Sequence, residues 1–362
     1  MAIIGRASLG SEFFDTTSAM LLVEPEPQYL HALLFKLALG ASLSTPGSLG
    51  MAGRDGIGAS GAPFGNAGGS LILDDAIARE AVCVCPEIGK APGHTVRMNR
   101  PTFTDTTYTQ ASREVANGAT ISTTPIDVSS SQVSLTLKRF AGPYSSGQSA
   151  VAPYGVDRFD ASMPVHKMAD IVGAHLKRDF DKTLDGFMVA LGDLGATTLY
   201  PRGMTAVNDS TVAGDFPFDF NTLSRAEKSL DEDNIPYFSN GKRVLVCTPQ
   251  QLQQLEEDSQ FARHAVFDKP VNPVLSKAYY KSVGKFDVYK SNTLTVTNNS
   301  SSIPIHSAQA FGPGMFGAGV GRLPEVVASS ADNFGELALV IWVMYAAFGN
   351  LDSRFGVVVK SS

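Results

Sequence analysis

Apolar residues recur every three or four positions from Val165 to Leu191, and this run constrains the fold more than any other feature of the chain. The stripe comprises Val165, Met168, Val172, Leu176, Phe180, Leu184, Phe187 and Leu191. Lys167, Asp170, Lys177, Arg178, Asp181, Lys182 and Asp185 occupy the other face, so the spacing predicts an amphipathic helix with one buried side. Pro164, with Ser162 or Met163 before it, suits the first helical turn and sets the helix at 164–191. About 27 residues at ~1.5 Å each make a rod of roughly 40 Å, to be packed on a sheet.

The segments before this rod have little core of their own. Residues 1–72 read as an N-terminal arm with one short helix, marked by Leu30, Leu33, Leu34 and Leu37 at i, i+3, i+4, i+7 spacing. His31 and Lys36 lie off that stripe. Thr45 to Ser70 is mostly Gly, Ala and Ser, so it is either disordered or ordered by lying across a neighbour. From His94 to Phe140 the pattern becomes two-residue alternation, with Val96 and Met98 in one strand and Val133, Leu135 and Leu137 in the next. The Thr-rich stretch between them completes a long β-hairpin, 94–140. An isolated two-stranded ribbon is marginal in water, so its tip is expected to rest on another subunit.

After the rod comes a compact α/β stretch. A helix near Phe220 to Asp233 leads to a buried strand, Arg243 to Cys247, and Pro249 opens a second helix with Leu252 and Leu255. Phe286, Val288 and Tyr289 suggest a further strand, and Asn298 to Ser302 a polar loop. Leu337 to Phe348 and Phe355 to Val359 form two strongly apolar terminal segments. The longer of them falls well short of the about 20 residues a membrane span needs, so no membrane partner is expected.

Composition separates the functional classes. Hydrophobic residues make up 43% and charged residues 18%, with 34 glycines and 20 prolines, which suits either a chain that buries surface against copies of itself or a β-rich globular protein. The net charge is −6 and no basic stripe occurs, which argues against specific nucleic-acid binding but permits a wall that surrounds nucleic acid. Cys83, Cys85 and Cys247 fit neither a disulfide framework nor a zinc site and read as small core residues formed in a reducing cytoplasm. Gly312 to Gly317 matches GxGxxG, but further glycines and Pro324 follow where a helix should start, so it reads as a glycine-rich turn and no cofactor is expected. No two of the six histidines have HxxxH spacing, and none neighbours a cysteine in sequence, so no metal site is expected. Asp231-Glu232-Asp233, at a helix end before Pro236, reads as a solvated surface. No catalytic residues are assigned.

The order of arm, hairpin, long helix, α/β region and terminal strands resembles the Hong Kong 97-like fold of tailed-phage major capsid proteins and bacterial encapsulins. The segment carrying most of that resemblance joins Asp-Asn-Ile-Pro (233–236), Gly-Lys-Arg-Val-Leu-Val-Cys-Thr-Pro (241–249) and Val-Gly-Lys-Phe-Asp-Val-Tyr-Lys-Ser-Asn-Thr-Leu (283–294). Thr95-Val-Arg-Met-Asn-Arg-Pro (95–101) resembles the start of the family's extended loop. The resemblance implies an α+β chain with arm 1–72, a peripheral domain at 73–93 and 141–214 holding spine helix 164–191, and extended loop 94–140. An axial domain at 215–330 and terminal strands at 331–362 complete it. It implies a non-enzymatic subunit of an icosahedral shell that assembles in a bacterial host's cytoplasm and resides in the virion. Expected partners are its own copies in pentamers and hexamers, a separate scaffolding protein, a portal and decoration proteins, with only non-specific proximity to packaged DNA. An encapsulin-like shell, a phage tail or fibre protein, and an enzyme using the Gly312 to Gly321 loop are the alternatives. Arg97, Arg100, Arg113 and Arg139 are expected either at intersubunit contacts or as solvated hairpin charges, and the Leu30, Leu33, Leu34, Leu37 stripe at intersubunit contacts. Some family members crosslink through a loop lysine; none occurs from His94 to Leu137, which implies a non-covalent shell.

Overall fold

The computed structural model describes residues 21, 29–43, 77, 80–85, 95–99, 132–143, 154–157, 168–258, 265–266, 279–330 and 337–362. Its principal helices are α1 (Leu30–Leu43), α2 (Met168–Gly192), α3 (Phe220–Glu232) and α4 (Pro249–Glu257). The first strands are β1 (Val82–Cys85), β2 (Thr95–Asn99), β3 (Gln132–Thr136), β4 (Lys138–Gly142) and β5 (Tyr154–Asp157). Then follow β6 (Thr197–Leu199), β7 (Arg243–Cys247), β8 (Ala265–Val266), β9 (Tyr279–Val283), β10 (Phe286–Lys290), β11 (Val296–Asn298) and β12 (Pro304–Phe311). Two long strands, β13 (Phe316–Ser330) and β14 (Leu337–Asn350), precede β15 (Gly356–Ser361).

These strands make two main sheets and one ribbon. The first sheet runs β1-β13-β14-β4, with β5 also paired to β14; the second runs β6-β15-β12-β7-β10-β9-β8, with β11 beside β12; β2 and β3 pair alone. The helix read from sequence is α2, whose Val172, Leu176, Phe180 and Leu184 are all buried. They lie toward β14, where Phe180 meets the chain's single tryptophan, Trp342, edge to face at 5.1 Å. Trp342 Nε1 donates to Asp179 at 2.7 Å, so the indole is buried with its polar end satisfied.

Local chemistry starts and stops the other helices. Asp219 accepts from the Thr222 N–H at 2.8 Å and opens α3. Thr248 and Gln251 form a reciprocal capping box for α4, with Pro249 in its first turn. At the far end of α3 the chain turns through Asn234, at φ 54°. All five residues of β7 are buried, as suits a strand flanked by β10 on one side and β12 on the other.

Three sequence expectations are corrected. The axial stretch expected to run to 330 stays in the second sheet only as far as Phe311, because β13 crosses into the first sheet and pairs along β14. The hairpin expected over 94–140 has its paired base at 95–99 and 132–136. Residues 138–142 have left it and pair with β14, so Arg139 stands opposite Tyr345 in the first sheet. The glycine-rich turn is confined to 312–315, and Phe316 already begins β13. The hairpin tip, the Thr45 to Ser70 run and the start of the long helix at 164–167 lie outside the described residues.

Candidate functional site

The hairpin base is a separate unit fastened to the first sheet by a small apolar contact. Val96 and Leu135 sit opposite each other on the ribbon and, with Ala347 of β14, form a cluster distinct from the main core; Met98, Val133 and Leu137 pack around it. The alternation seen in sequence is the face that docks, while Arg97 and Ser134 point to solvent.

What receives this face is a notch made of glycine. Gly317 and Gly349 are directly opposite each other in the β13–β14 pair, so one face of the sheet lacks two neighbouring side chains. A Cβ at Gly349 would lie 2.3 Å from Cδ2 of Leu135, and one at Gly317 would lie 2.6 Å from Leu351 and 3.2 Å from the sulfur of Met98. Leu137 lies over Gly321 in the same way, at ordinary contact distance. Gly317, the last residue of the run that matches a nucleotide-binding string, is thus part of a seat for Leu351 and Met98. Gly317 and Gly321 are visible in the sequence as part of a glycine-rich run, but Gly349 and the seat it completes are not, because cross-strand pairing of residues 317 and 349 is a long-range fact.

The expected contact residues divide. Arg97 on β2 and Arg139 on β4 are exposed, so both are available to a neighbour. Arg100 and Arg113 lie outside the described residues. Leu30 and Leu34 are corrected: at 1% and 2% exposed they are used within the chain's own core and offer a neighbour no surface. Leu33 and Leu37 fall within α1, but their side chains are not described. The reason is that α1 packs between α2 and β1 and is apolar on almost every side, with Tyr29, Ala32, Phe35, Ala38 and Leu39 also buried.

Polar clusters in the described residues have structural duties. Arg243, 1% exposed, pairs with Asp231 at 2.7 Å, donates to the Ile235 carbonyl and lies 4.2 Å from the Tyr237 ring centre, which secures the end of α3 to β7. Asp231 also accepts from the Tyr237 hydroxyl at 2.8 Å and lies 3.8 Å from Lys285. Partial burial would raise its carboxyl, but Tyr237, Arg243 and Lys285 outweigh that and hold it below the usual range. Asp231 is therefore a hub of paired charge and not the merely solvated residue expected. Cys247 is buried in β7, where burial drives its thiol far up, and Cys83 is half-buried with its thiol shifted the same way for the same reason. Cys85 ends β1, its side chain outside the described residues.

An open groove of about 460 Å³ between residues 201–221 and 254–258 contains Asp215, Asp219, Glu257 and Asp258. Asp215 accepts from the Val212 N–H, Asp219 caps α3 and Asp258 accepts from the Phe220 N–H, so these carboxylates order loops and are not arranged as an acid/base pair. Among the described residues no group of three or more His, Cys, Asp or Glu could hold a metal ion, and no helix is long and apolar enough to cross a membrane.

Neither a family model nor a curated protein matches this sequence. Solved structures do. The capsid of Ralstonia phage GP4 matches with a TM-score of 0.53 at 12% identity, covering 77% of this chain and 86% of that one. The Cyanophage Pam1 capsid matches with a TM-score of 0.52 at 10% identity, over 78% and 88% of the two chains. The capsid of Cyanophage P-SCSP1u matches with a TM-score of 0.51 at 14% identity, over 78% and 86%. A likeness over three quarters of the chain, at identities this low, resides in the path of the backbone; the chain has the Hong Kong 97-like fold seen in phage capsids.

Proposed function

We propose that this chain is the repeating subunit of an icosahedral shell, the major capsid protein of a tailed phage, and that it encloses double-stranded DNA without reading its sequence. The observation that carries this reading is the fold shared with three phage capsid structures over 77–78% of the chain. The geometry supports it. On this reading the first sheet with α2 serves as the peripheral unit, and the second sheet, which β15 rejoins, as the axial one. The hairpin base is held on the first sheet by a few apolar side chains. Exposed Arg97 and Arg139 supply polar contacts between copies. A net charge of −6 favours a wall that does not grip the packaged nucleic acid.

On this reading the partners are other copies in pentamers and hexamers, a separate scaffolding protein, a portal and decoration proteins, and the site of residence is the virion. Sedimentation of the expressed chain, alone and with a candidate scaffolding protein, tests the reading. A homogeneous, shell-sized species is expected. A monomer or dimer under both conditions overturns it.

A further inference from the structure

The polar side of α2 holds an unexpected feature. Asp181 and Asp185, one turn apart, are 2% and 0% exposed because α1 lies across them. Lys36 of α1, 1% exposed, is ion-paired to Asp181, and its ammonium stands 5.2 Å from the Phe180 ring centre. Asp185 accepts from the Ala32 N–H at 3.0 Å and from the hydroxyl of Thr293, tying α1, α2 and the second sheet at one point. His31, fully buried, lies beside the paired rings of Phe311 and Phe316, 6.3 and 6.2 Å from their centres, and neither ring nitrogen makes a hydrogen bond of ordinary geometry.

A helix fixed only for stability would be expected to rest on apolar contacts, since a well-packed apolar replacement for a buried ion pair is often neutral or stabilising. A neutral imidazole beside two phenyl rings tolerates burial; an imidazolium there has lost its water, a loss that Asp185, Gln309 and Asp193 offset only in part. We propose that α1 is an acid-released strap, with His31 as the group that senses pH and the Lys36–Asp181 pair as the pin that sets its register on α2.

Lys36 faces Asp181 and Lys177 of α2, and His31 faces Asp185 and Asp193 with the neutral Gln309 of β12. The strands β1 and β14 carry no ionisable acid, lysine, arginine or histidine. Burial lowers His31, more than Asp185, Gln309 and Asp193 raise it. Burial likewise lowers Lys36, to about 8, against the opposing pull of Asp181. Both shifts have one sign. The docked strap binds fewer protons than the released one, so docking strengthens as pH rises and weakens as it falls. For His31 the weakening sets in below 6.5, the value of a free imidazole, with at most a tenfold change in the opening constant per pH unit.

The lone Trp342 reports the event, because it stacks on Phe180, the ring beneath Lys36. The test is hydrogen exchange of the α1 amides, corrected for intrinsic rate, together with Trp342 emission, from pH 8 to 5 on the full chain. Wild type should show α1 exchange rising up to tenfold per unit below 6.5 and emission shifting in step, while β7 and β12 amides stay protected. His31→Phe, which keeps an aromatic ring among aromatic rings, should hold α1 docked through pH 5. Lys36→Met with Asp181→Leu should raise the unfolding midpoint and leave the pH midpoint unchanged. An unaltered pH profile in H31F, or protection lost equally in α1 and β7, overturns the proposal. If H31F does not fold, the wild-type profile alone decides: pH-independent α1 exchange from 8 to 5 also overturns it.

Discussion

Substituting Gly349 by alanine tests whether the hairpin base depends on the glycine notch. The added methyl would stand 2.3 Å from Cδ2 of Leu135, more than 1 Å inside the ordinary contact range of 3.4–4 Å. The β13–β14 backbone around Gly349 is held by unbroken pairing from Phe316 to Val320, so Leu135 is the group that must move, out of its cluster with Val96 and Ala347. Overpacking of this kind costs about 1–3 kcal/mol. Leu135→Ala removes the clashing group and should cost about 2 kcal/mol, the low end for a buried leucine, because the cluster has only three buried members. In the double variant the methyl at 349 enters space that Leu135 has vacated. The two costs should then fall short of additivity by about 1–3 kcal/mol. Urea unfolding of the unassembled subunit gives the three values, and hydrogen exchange over 95–99 and 132–136 shows whether the loss is local to the ribbon. Strictly additive costs, or a G349A variant as stable as wild type with the ribbon still protected, would refute the notch.

Three further outcomes are expected. Arg243→Ala leaves the carbonyl of Ile235 without its buried donor and Asp231 without its closest cation, so urea unfolding should report a loss of about 3 kcal/mol. Asp231 titrates below its unfolded value of 3.8. Its contribution is therefore fully present above pH 3.8 and lost as pH falls through the folded value, and Asp231→Asn should flatten the stability profile only in that acid window. With no lysine from His94 to Leu137, shells boiled in detergent should run as a single monomer band, and a ladder of linked subunits would contradict the non-covalent reading.

Legibility followed the range of the interactions. The stripe of α2 was readable because helical spacing is local, and so were the capped start of α4 and the buried strand β7. The docking face of the hairpin was readable as alternation at Val96, Met98, Val133 and Leu135. Its seat was not, because it arises where residues 317 and 349 meet, and nothing local distinguishes these glycines from turn glycines. The leucines of α1 read as a stripe facing a neighbour, with His31 and Lys36 off that stripe, because nothing local gives those two polar residues a place inside. A partner 145 residues away, Asp181, is what permits Lys36 to be buried. Arg139 was placed in the hairpin since alternation continues past Leu137, yet β-pairing transfers the chain to the first sheet one residue later.

The central claim is that this fold assembles into a closed shell, and negative-stain microscopy of the chain expressed alone and with a candidate scaffolding protein tests it most directly. The account predicts uniform icosahedral particles in at least one condition. Discrete monomers or dimers in both, or open tubes and trimers in place of closed particles, would contradict it.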